Sequence, residues 1–227
     1  MPEARRLAIV GYGKMGRLIE QLAPEYGFQV AARYDVDRQE PLDGCDVAVE
    51  FSVPSAVTAN VRMLAQKGIP VVIGTTGWLG EMDQIRAVID QHGTAAVWSP
   101  NYSVGVNVFF RLVREASHLL AGETEYGAWA WEVHHITKKD APSGTLLKLV
   151  ETMKAAGYER PVDVSSNRAG AHPGTHEIGF DSAADTITLR HTARSREGFA
   201  RGALKAARWV IGRKGFFEFS EVLFGRE

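Results

Sequence analysis

The sequence predicts an α/β fold, and three observations carry that prediction. A short apolar run at residues 7–10 leads straight into Gly11-Tyr12-Gly13-Lys14-Met15-Gly16, a GxGxxG turn with helical spacing behind it. Apolar strand-like runs then alternate with helical stretches to about residue 98. Beyond Asn101 the alternation stops, and one long amphipathic helix is followed by segments of period two, so the chain divides.

The first strand, 7–10, is apolar throughout, as a strand buried on both faces must be. Its turn has a physical logic: the first glycine permits the tight turn, the second lets backbone approach a pyrophosphate, and the third lets helix lie on strand. The helix that follows carries Leu18, Ile19 and Leu22. A second strand at 29–34 ends at Asp35, nineteen residues past Gly16. Strand, glycine turn, helix, strand and acid is the dinucleotide-binding order. Asp35 suits the hydroxyls of an adenosine ribose and would repel a 2′-phosphate, and Val36 and Asp37 follow it where an arginine would favour NADP. NADH is therefore the expected partner over NADPH, a preference softened by Lys14, Arg33 and Arg38 nearby.

Residues 47–51 form the next strand, and Pro54-Ser55 opens a helix to about Lys67 that Gly68 ends. A strand at 70–73 runs into Gly74, Thr75 and Thr76; a helix spans 80–91, and 95–98 is the fifth strand, leading to Ser99, Pro100, Asn101 and Tyr102. Such a sheet is parallel with helices on both faces, and ligands bind beyond the carboxyl ends of its strands. Both small-residue segments sit there and are candidate cofactor contacts.

In the second half, 106–120 reads as a helix with Val106, Phe109, Phe110 and Val113 in one stripe. From Gly127 the chain alternates, with Trp129, Trp131 and Val133 on one face and Ala130, Glu132 and His134 on the other. The Trp face reads as core or as an oligomer interface, and His134 and His135 point to opposite sides. Then comes the densest chemistry in the chain: Glu132 to Thr145 reads EVHHITKKDAPSGT. Two imidazoles, two ammonium groups and a helix start fall within fourteen residues. Histidine exchanges protons near neutral pH, lysine supplies protons and charge, and free amides at a helix start hold carboxylates. Either Asp140 or Ser143 can cap that helix, in which Leu146, Leu147, Val150 and Met153 have helical spacing and Gly157 is the stop. Residues 165–174 read as a polar, mobile loop, 186–193 as a strand, and 199–211 as a helix whose small residues suit close packing on the first domain.

Composition bounds the partners. The chain has 227 residues, 45% hydrophobic, with 26 basic and 27 acidic side chains and a net charge of −1. Nothing global attracts nucleic acid or an anionic membrane, so positive charge must act locally. No apolar run reaches about 18 residues, and no leader-like run opens the chain. The single cysteine, Cys45, excludes an internal disulfide and suits a reduced, cytoplasmic setting. No histidine pair shows metal-ligand spacing with an acid, so no metal is expected.

With VGYGKMGR, VEFSVP, VIGTTG, NYSVGVN, EVHHITKKDAPSGT and SREGFARGAL in that order, the chain resembles the dihydrodipicolinate reductase family along essentially its whole length. The resemblance implies a Rossmann domain over 1–103 completed by 196–227. It also implies a smaller α+β domain over 104–195, whose open mixed sheet drives assembly into a tetramer. It implies NAD(P)H-dependent reduction of 4-hydroxy-tetrahydrodipicolinate, a small dicarboxylate. His134 matches the family's acid/base histidine and Lys138 its proton-donating lysine. His135 matches a substrate contact, and Gly144 and Thr145 the pair that holds a substrate carboxylate. Gly11 to Gly16, Asp35, Gly74 to Thr76 and Ser99 to Tyr102 match cofactor segments. Arg168, Gly170, Gly174 and His176 match a further R-x-G-x-x-x-G-x-H pattern. The chain is shorter than longer members between Asp35 and Val47 and after Gly157. Two other readings stand beside it: a diaminopimelate-type dehydrogenase, which lacks the histidine–lysine motif, and a nucleotide sensor without turnover.

Overall fold

The structure, a computed structural model, describes residues 4–225. It forms two compact units, Met1–Val104 with Glu197–Glu227, and Gly105–Arg196. The outermost residues of the expected first domain, 1–3 and 226–227, lie outside the described residues.

In the first unit β1 (Arg5–Val10), β2 (Phe28–Asp35), β4 (Val47–Glu50), β5 (Val71–Ile73), β6 (Ala95–Trp98) and β11 (Gly215–Glu218) are parallel, and the two-residue β3 (Arg38–Gln39) pairs antiparallel with β2. The order across the sheet is β11-β6-β5-β4-β1-β2-β3. Strand alternation sends Leu7, Ile9, Val47, Val49, Val72 and Val97 to one face. There they meet α1 (Lys14–Leu22) and α6 (Glu197–Val210). Ala8, Val10, Ala48, Val71, Ile73 and Ala96 face α2 (Val57–Gln66) and α3 (Met82–His92) on the other side. This is why the strands are apolar without alternation. Ala203, Ala206 and Ala207 of α6 are fully buried, so small side chains bring that helix close to the sheet. The sequence reading missed β3, β11 and α7 (Phe219–Phe224), each too short for a periodicity to register.

The second unit holds a four-stranded sheet of order β10-β9-β7-β8, built from β7 (Gly127–His134), β8 (Val162–Arg168), β9 (Thr175–Asp181) and β10 (Thr186–Thr192). β7 and β8 are parallel, and the other pairs antiparallel. α4 (Val104–Leu119) and α5 (Gly144–Ala155) join Ala130, Ile178 and Phe180 in its core.

Three expectations change here. Residues 165–168 belong to β8 and not to a loop, which is confined to 169–174. An edge strand with one bare face needs no apolar side chains, so its pattern carried no strand signal. The apolar Trp129–Trp131 face is not the core: Ala130 and Glu132 are fully buried, whereas the Trp rings are half-exposed. In α5 the inward stripe is Leu146, Leu149 and Met153, while Leu147 is 48% exposed.

Candidate active site

In the first unit the glycine turn follows β1. Gly11 has φ +87°, and a Cβ there would stand 2.2 Å from the Phe51 carbonyl oxygen. A Cβ on Gly16 would lie 2.4 Å from the Gly11 oxygen, so helix and turn touch directly. A Cβ on Gly13 would meet nothing within 4 Å; the protein itself does not require that glycine. Gly13 is also the N-cap of α1 and gives it no side-chain cap, which leaves first-turn amides for an anion. Lys14 is exposed, and Met15 packs at the edge of the core. The Asp35 carboxylate accepts from the Tyr12 amide at 2.6 Å and the Val36 amide at 2.7 Å, tying the turn to the end of β2. The guanidinium groups of Arg17, Arg33 and Arg38 surround the Tyr12 ring at 5.8, 5.9 and 5.7 Å. Arg33 is paired with Glu20 and Glu40, and Arg38 with Glu40, so acids balance both charges.

At the carboxyl end of β5, the Gly74 and Thr75 amides donate to the Glu50 carbonyl at 2.8 and 3.3 Å. A Cβ on Gly74 would strike the Phe51 ring at 2.1 Å. Thr76 is exposed. The Thr75 Oγ1 and Glu50 Oε2 are buried without a partner. Sequence reasoning passed over Glu50, a fully buried acid that ends an otherwise apolar strand. Beyond β6, Ser99 Oγ and Asn101 Oδ1 stitch the following turn, whose Pro100 is exposed. Tyr102 is a core residue: its hydroxyl reaches the Ile73 and Val97 carbonyls at 3.0 and 2.8 Å, and its ring packs on Phe51 and Phe219. Its side chain is spent on packing and supports the segment from below. A bare Gly13 rim, uncapped amides, an acid at the strand end and two orphaned polar atoms fit a dinucleotide.

In the second unit the motif folds around a buried carboxylate. Glu132, fully buried, accepts through Oε1 from the Ser143 amide at 2.9 Å, Ser166 Oγ at 3.0 Å and Arg168 at 3.0 Å. Its Oε2 lies 3.3 Å from His134 Nδ1 and 3.3 Å from His176 Nε2. Burial alone would raise this carboxyl, but donors from Ser143, Arg168 and Ser166 outweigh it and hold it below the usual range. Burial lowers His134, with Lys138, Arg168 and His135 adding to the effect and Glu132 opposing it. Burial also pushes His176 down to about 4. Glu132, His134 and His176 offer ligand atoms within 4.8 Å of one another, a grouping that sequence spacing did not reveal because His176 arrives from β9. Three donors hold Oε1, one of them the Arg168 cation, while Oε2 faces the two imidazoles.

The strand ends at His134, and the next residues form a loop held by β8. Arg168 donates to the Lys138 carbonyl at 3.3 Å and to the Asp140 carbonyl, joining that loop to Glu132. His135 Nδ1 is 2.7 Å from Thr137 Oγ1. The Lys138 ammonium donates to both Asp140 oxygens at 2.8 and 2.9 Å, while Lys139 is exposed. Ser143 is the N-cap of α5, accepting from the Leu146 amide at 3.2 Å, which settles the choice between Ser143 and Asp140. Lys138 first, and also the Gly144 N–H, hold the Asp140 carboxyl below its ordinary range, so this helix start already acts on a carboxylate. Thr145 follows in the same first turn, half-buried.

A mostly parallel sheet with a glycine turn in one unit, and a histidine–lysine motif at a helix start in the other, define a dinucleotide-dependent oxidoreductase. Comparison with known proteins narrows the class. Family models for the N-terminus and C-terminus of dihydrodipicolinate reductase match residues 5–102 and 105–223. A 4-hydroxy-tetrahydrodipicolinate reductase of Christiangramia forsetii is 35% identical over 231 residues, covering 96% of this chain and 97% of the relative. One from Methanosarcina barkeri is 40% identical, covering 78% and 73%. The chain belongs to the dihydrodipicolinate reductase family. In structure it is similar to the dipicolinate-bound dihydrodipicolinate reductase of Paenisporosarcina sp. TG-14, with a TM-score of 0.80, 20% identity and coverage of 96% and 98%. It is also similar to an amine dehydrogenase of Mycobacterium smegmatis, with a TM-score of 0.61, 11% identity and coverage of 96% and 95%. At these identities the likeness is one of fold.

Proposed function

We propose that this chain reduces 4-hydroxy-tetrahydrodipicolinate to tetrahydrodipicolinate, in diaminopimelate and lysine biosynthesis, with His134 and Lys138 moving the proton. When bound, a nicotinamide dinucleotide supplies the hydride; a proton from the protein side and loss of the ring hydroxyl as water balance the reaction. The observation that carries this reading is the folded motif: one segment holds the Lys138 ammonium, the His134 imidazole over a buried acid, and the start of α5. Lys138 is half-buried and keeps its ammonium beside Asp140, within reach of an anionic ligand that competes for that partner. The Gly144 and Thr145 amides suit one carboxylate of a dicarboxylate, and His135 suits a further contact. Gly11, Tyr12, Gly13, Lys14, Met15, Gly16, Asp35, Gly74, Thr75, Thr76, Ser99, Pro100, Asn101 and Tyr102 form the proposed cofactor end.

NADH is the proposed preference over NADPH. Asp35 carries negative charge at the ribose position, and two of the three nearby cations, Arg33 and Arg38, are already paired with acids, which leaves the exposed Lys14. The half-exposed Trp129 and Trp131 face of β7 is the proposed contact of a homo-oligomer, a tetramer by resemblance. No helix among the described residues is long and apolar enough to cross a membrane, and the free Cys45 suits the cytoplasm. The deciding experiment couples the chain to the synthase that makes its substrate and follows NADH and NADPH oxidation separately. Oxidation of NADH, faster than of NADPH, is expected; oxidation of neither would remove the reductase reading for this chain.

A further inference from the structure

We propose that Glu132 is a positioning residue for His134: its buried Oε2 takes the proton on Nδ1, so that proton exchange with the ligand runs through Nε2. The inference rests on the reading of His134 as an acid/base residue and adds to it the group that fixes the proton.

The two oxygens of Glu132 have different surroundings. Three donors claim Oε1, namely the Ser143 amide, the Ser166 hydroxyl and the Arg168 guanidinium. Oε2 is buried with no hydrogen-bond partner, and so is His134 Nδ1, 3.3 Å away. Leaving a buried acceptor without a donor is costly, and more so when it is charged. Either imidazole nitrogen facing Oε2 relieves that cost by carrying its hydrogen there. His176 Nε2 has a second partner in Ser143 Oγ at 3.1 Å, whose hydroxyl can donate to it, which leaves His134 Nδ1 to serve Oε2. Bonds of this kind in catalytic sites are often out of line before ligand binds and tighten afterwards. A neutral His134 protonated on Nδ1 has its lone pair on Nε2, at the opposite edge of the ring. That edge lies against Gly174, where a Cβ would stand 2.9 Å from Nε2.

The proton balance is simple. A proton accepted at Nε2 makes an imidazolium, stabilised by the Glu132 charge; the proton given from Nε2 to the ligand restores the neutral ring. The Nδ1 hydrogen never leaves, and Glu132 stays ionised throughout. The groups acting on His134 come from every neighbouring element: Glu132 on β7, Arg168 on β8, His176 on β9, and His135 and Lys138 in the loop. Arg168, Lys138 and His135 disfavour the imidazolium, and Glu132 favours it.

Glu132→Gln tests the idea. The carboxamide keeps an oxygen for the three donors and turns an NH2 toward the two imidazoles, which favours the opposite tautomer of His134. Nitrogen NMR of the histidine-labelled full chain should show His134 protonated on Nδ1 in the wild type and on Nε2 in Glu132→Gln. The variant should lose about 100-fold or more in kcat, with KM and dinucleotide binding close to wild type. Glu132→Asp, which keeps the charge, should recover the wild-type tautomer and part of the kcat. A wild-type His134 protonated on Nε2 overturns the proposal, and that spectrum decides even if Glu132→Gln does not fold. A folded Glu132→Gln with unchanged kcat beside an inactive His134→Gln overturns the proposal alone. A fully active His134→Gln overturns the acid/base role of His134, and the proposal with it.

Discussion

Gly174→Ala puts the environment of His134 under the most direct strain. Gly174 sits in the loop between β8 and β9 at φ +131°, and a Cβ there would lie 2.9 Å from His134 Nε2 and 3.0 Å from its Cδ2. Comfortable carbon contacts begin at about 3.5 Å, so the methyl overlaps the ring by about half an ångström. His134 cannot retreat freely: it is 92% buried by its 8% exposure, and its carbonyl accepts from the Ala169 amide at 2.9 Å. Backbone strain costs about 1–3 kcal/mol, and forcing the imidazole off its rotamer about 0.5–1.5 kcal/mol. Stiffening the unfolded chain returns about 0.4–1 kcal/mol. The net loss is about 1–3 kcal/mol, which for a chain of this size lowers Tm by roughly 2–10 °C. The methyl also crowds the nitrogen assigned to proton exchange, so kcat should fall by about 100-fold while dinucleotide binding persists. The assay pairs thermal melting with steady-state oxidation of NADH. Gly170→Ala is the control, since Gly170 has φ +49° in the same loop but a Cβ there meets nothing within 4 Å. It should lose stability and keep kcat. A Gly174→Ala enzyme with wild-type kcat and Tm would refute the reasoning.

Lys138→Ala should reduce kcat by about 100-fold or more while NADH still binds, as measured by steady-state rates and a fluorescence titration; normal turnover would remove Lys138 from proton transfer. Asp35→Ala should weaken NADH more than NADPH, and an unchanged ratio of the two Kd values would sink the ribose assignment. It should also loosen the glycine turn, because Asp35 accepts from Tyr12 and Val36. Stability should fall with acid between the ordinary histidine range near 6.5 and about 4, because burial depresses His176 across that window. The unfolded chain binds the proton that the folded one refuses, so stability is complete above that range and declines by an amount on the order of 2 kcal/mol by pH 5. Urea midpoints at pH 7 and pH 5 measure it, and a flat profile would mean that His176 is not held neutral.

The sequence made the first unit legible because its signals are local. Six residues carry the glycine turn, and each buried strand is an apolar run bounded by turn chemistry. What it concealed was short or polar: β11 spans four residues, and β8 is an edge strand of VDVSSNR whose partner supplies hydrogen bonds rather than apolar cover. Of the two readings of the Trp face, core and oligomer interface, the structure removes the first for a related reason. Indole rings are the most apolar side chains on β7, yet α4 and α5 cover the Ala130 and Glu132 side, where small and hydrogen-bonded residues allow close approach.

The same limit applies to the site. His134, Lys138, Gly144 and Thr145 lie within one segment, so a linear reading finds them. Arg168 and His176 come from 36 and 44 residues beyond Glu132, and only the pairing of β8 and β9 with β7 brings them to it. The register makes the meeting unavoidable: Glu132 faces Ser166 on β8 and His176 on β9, one residue position on each side. A carboxylate at that crossing must find donors from both neighbours or lose several kcal/mol to burial. It therefore ties the loop of Lys138, the cap of α5 and the ring of His134 to one buried carboxylate. Removing that side chain should disturb all three together, whereas Lys138, attached to the network through its backbone carbonyl, can lose its ammonium and leave the network standing.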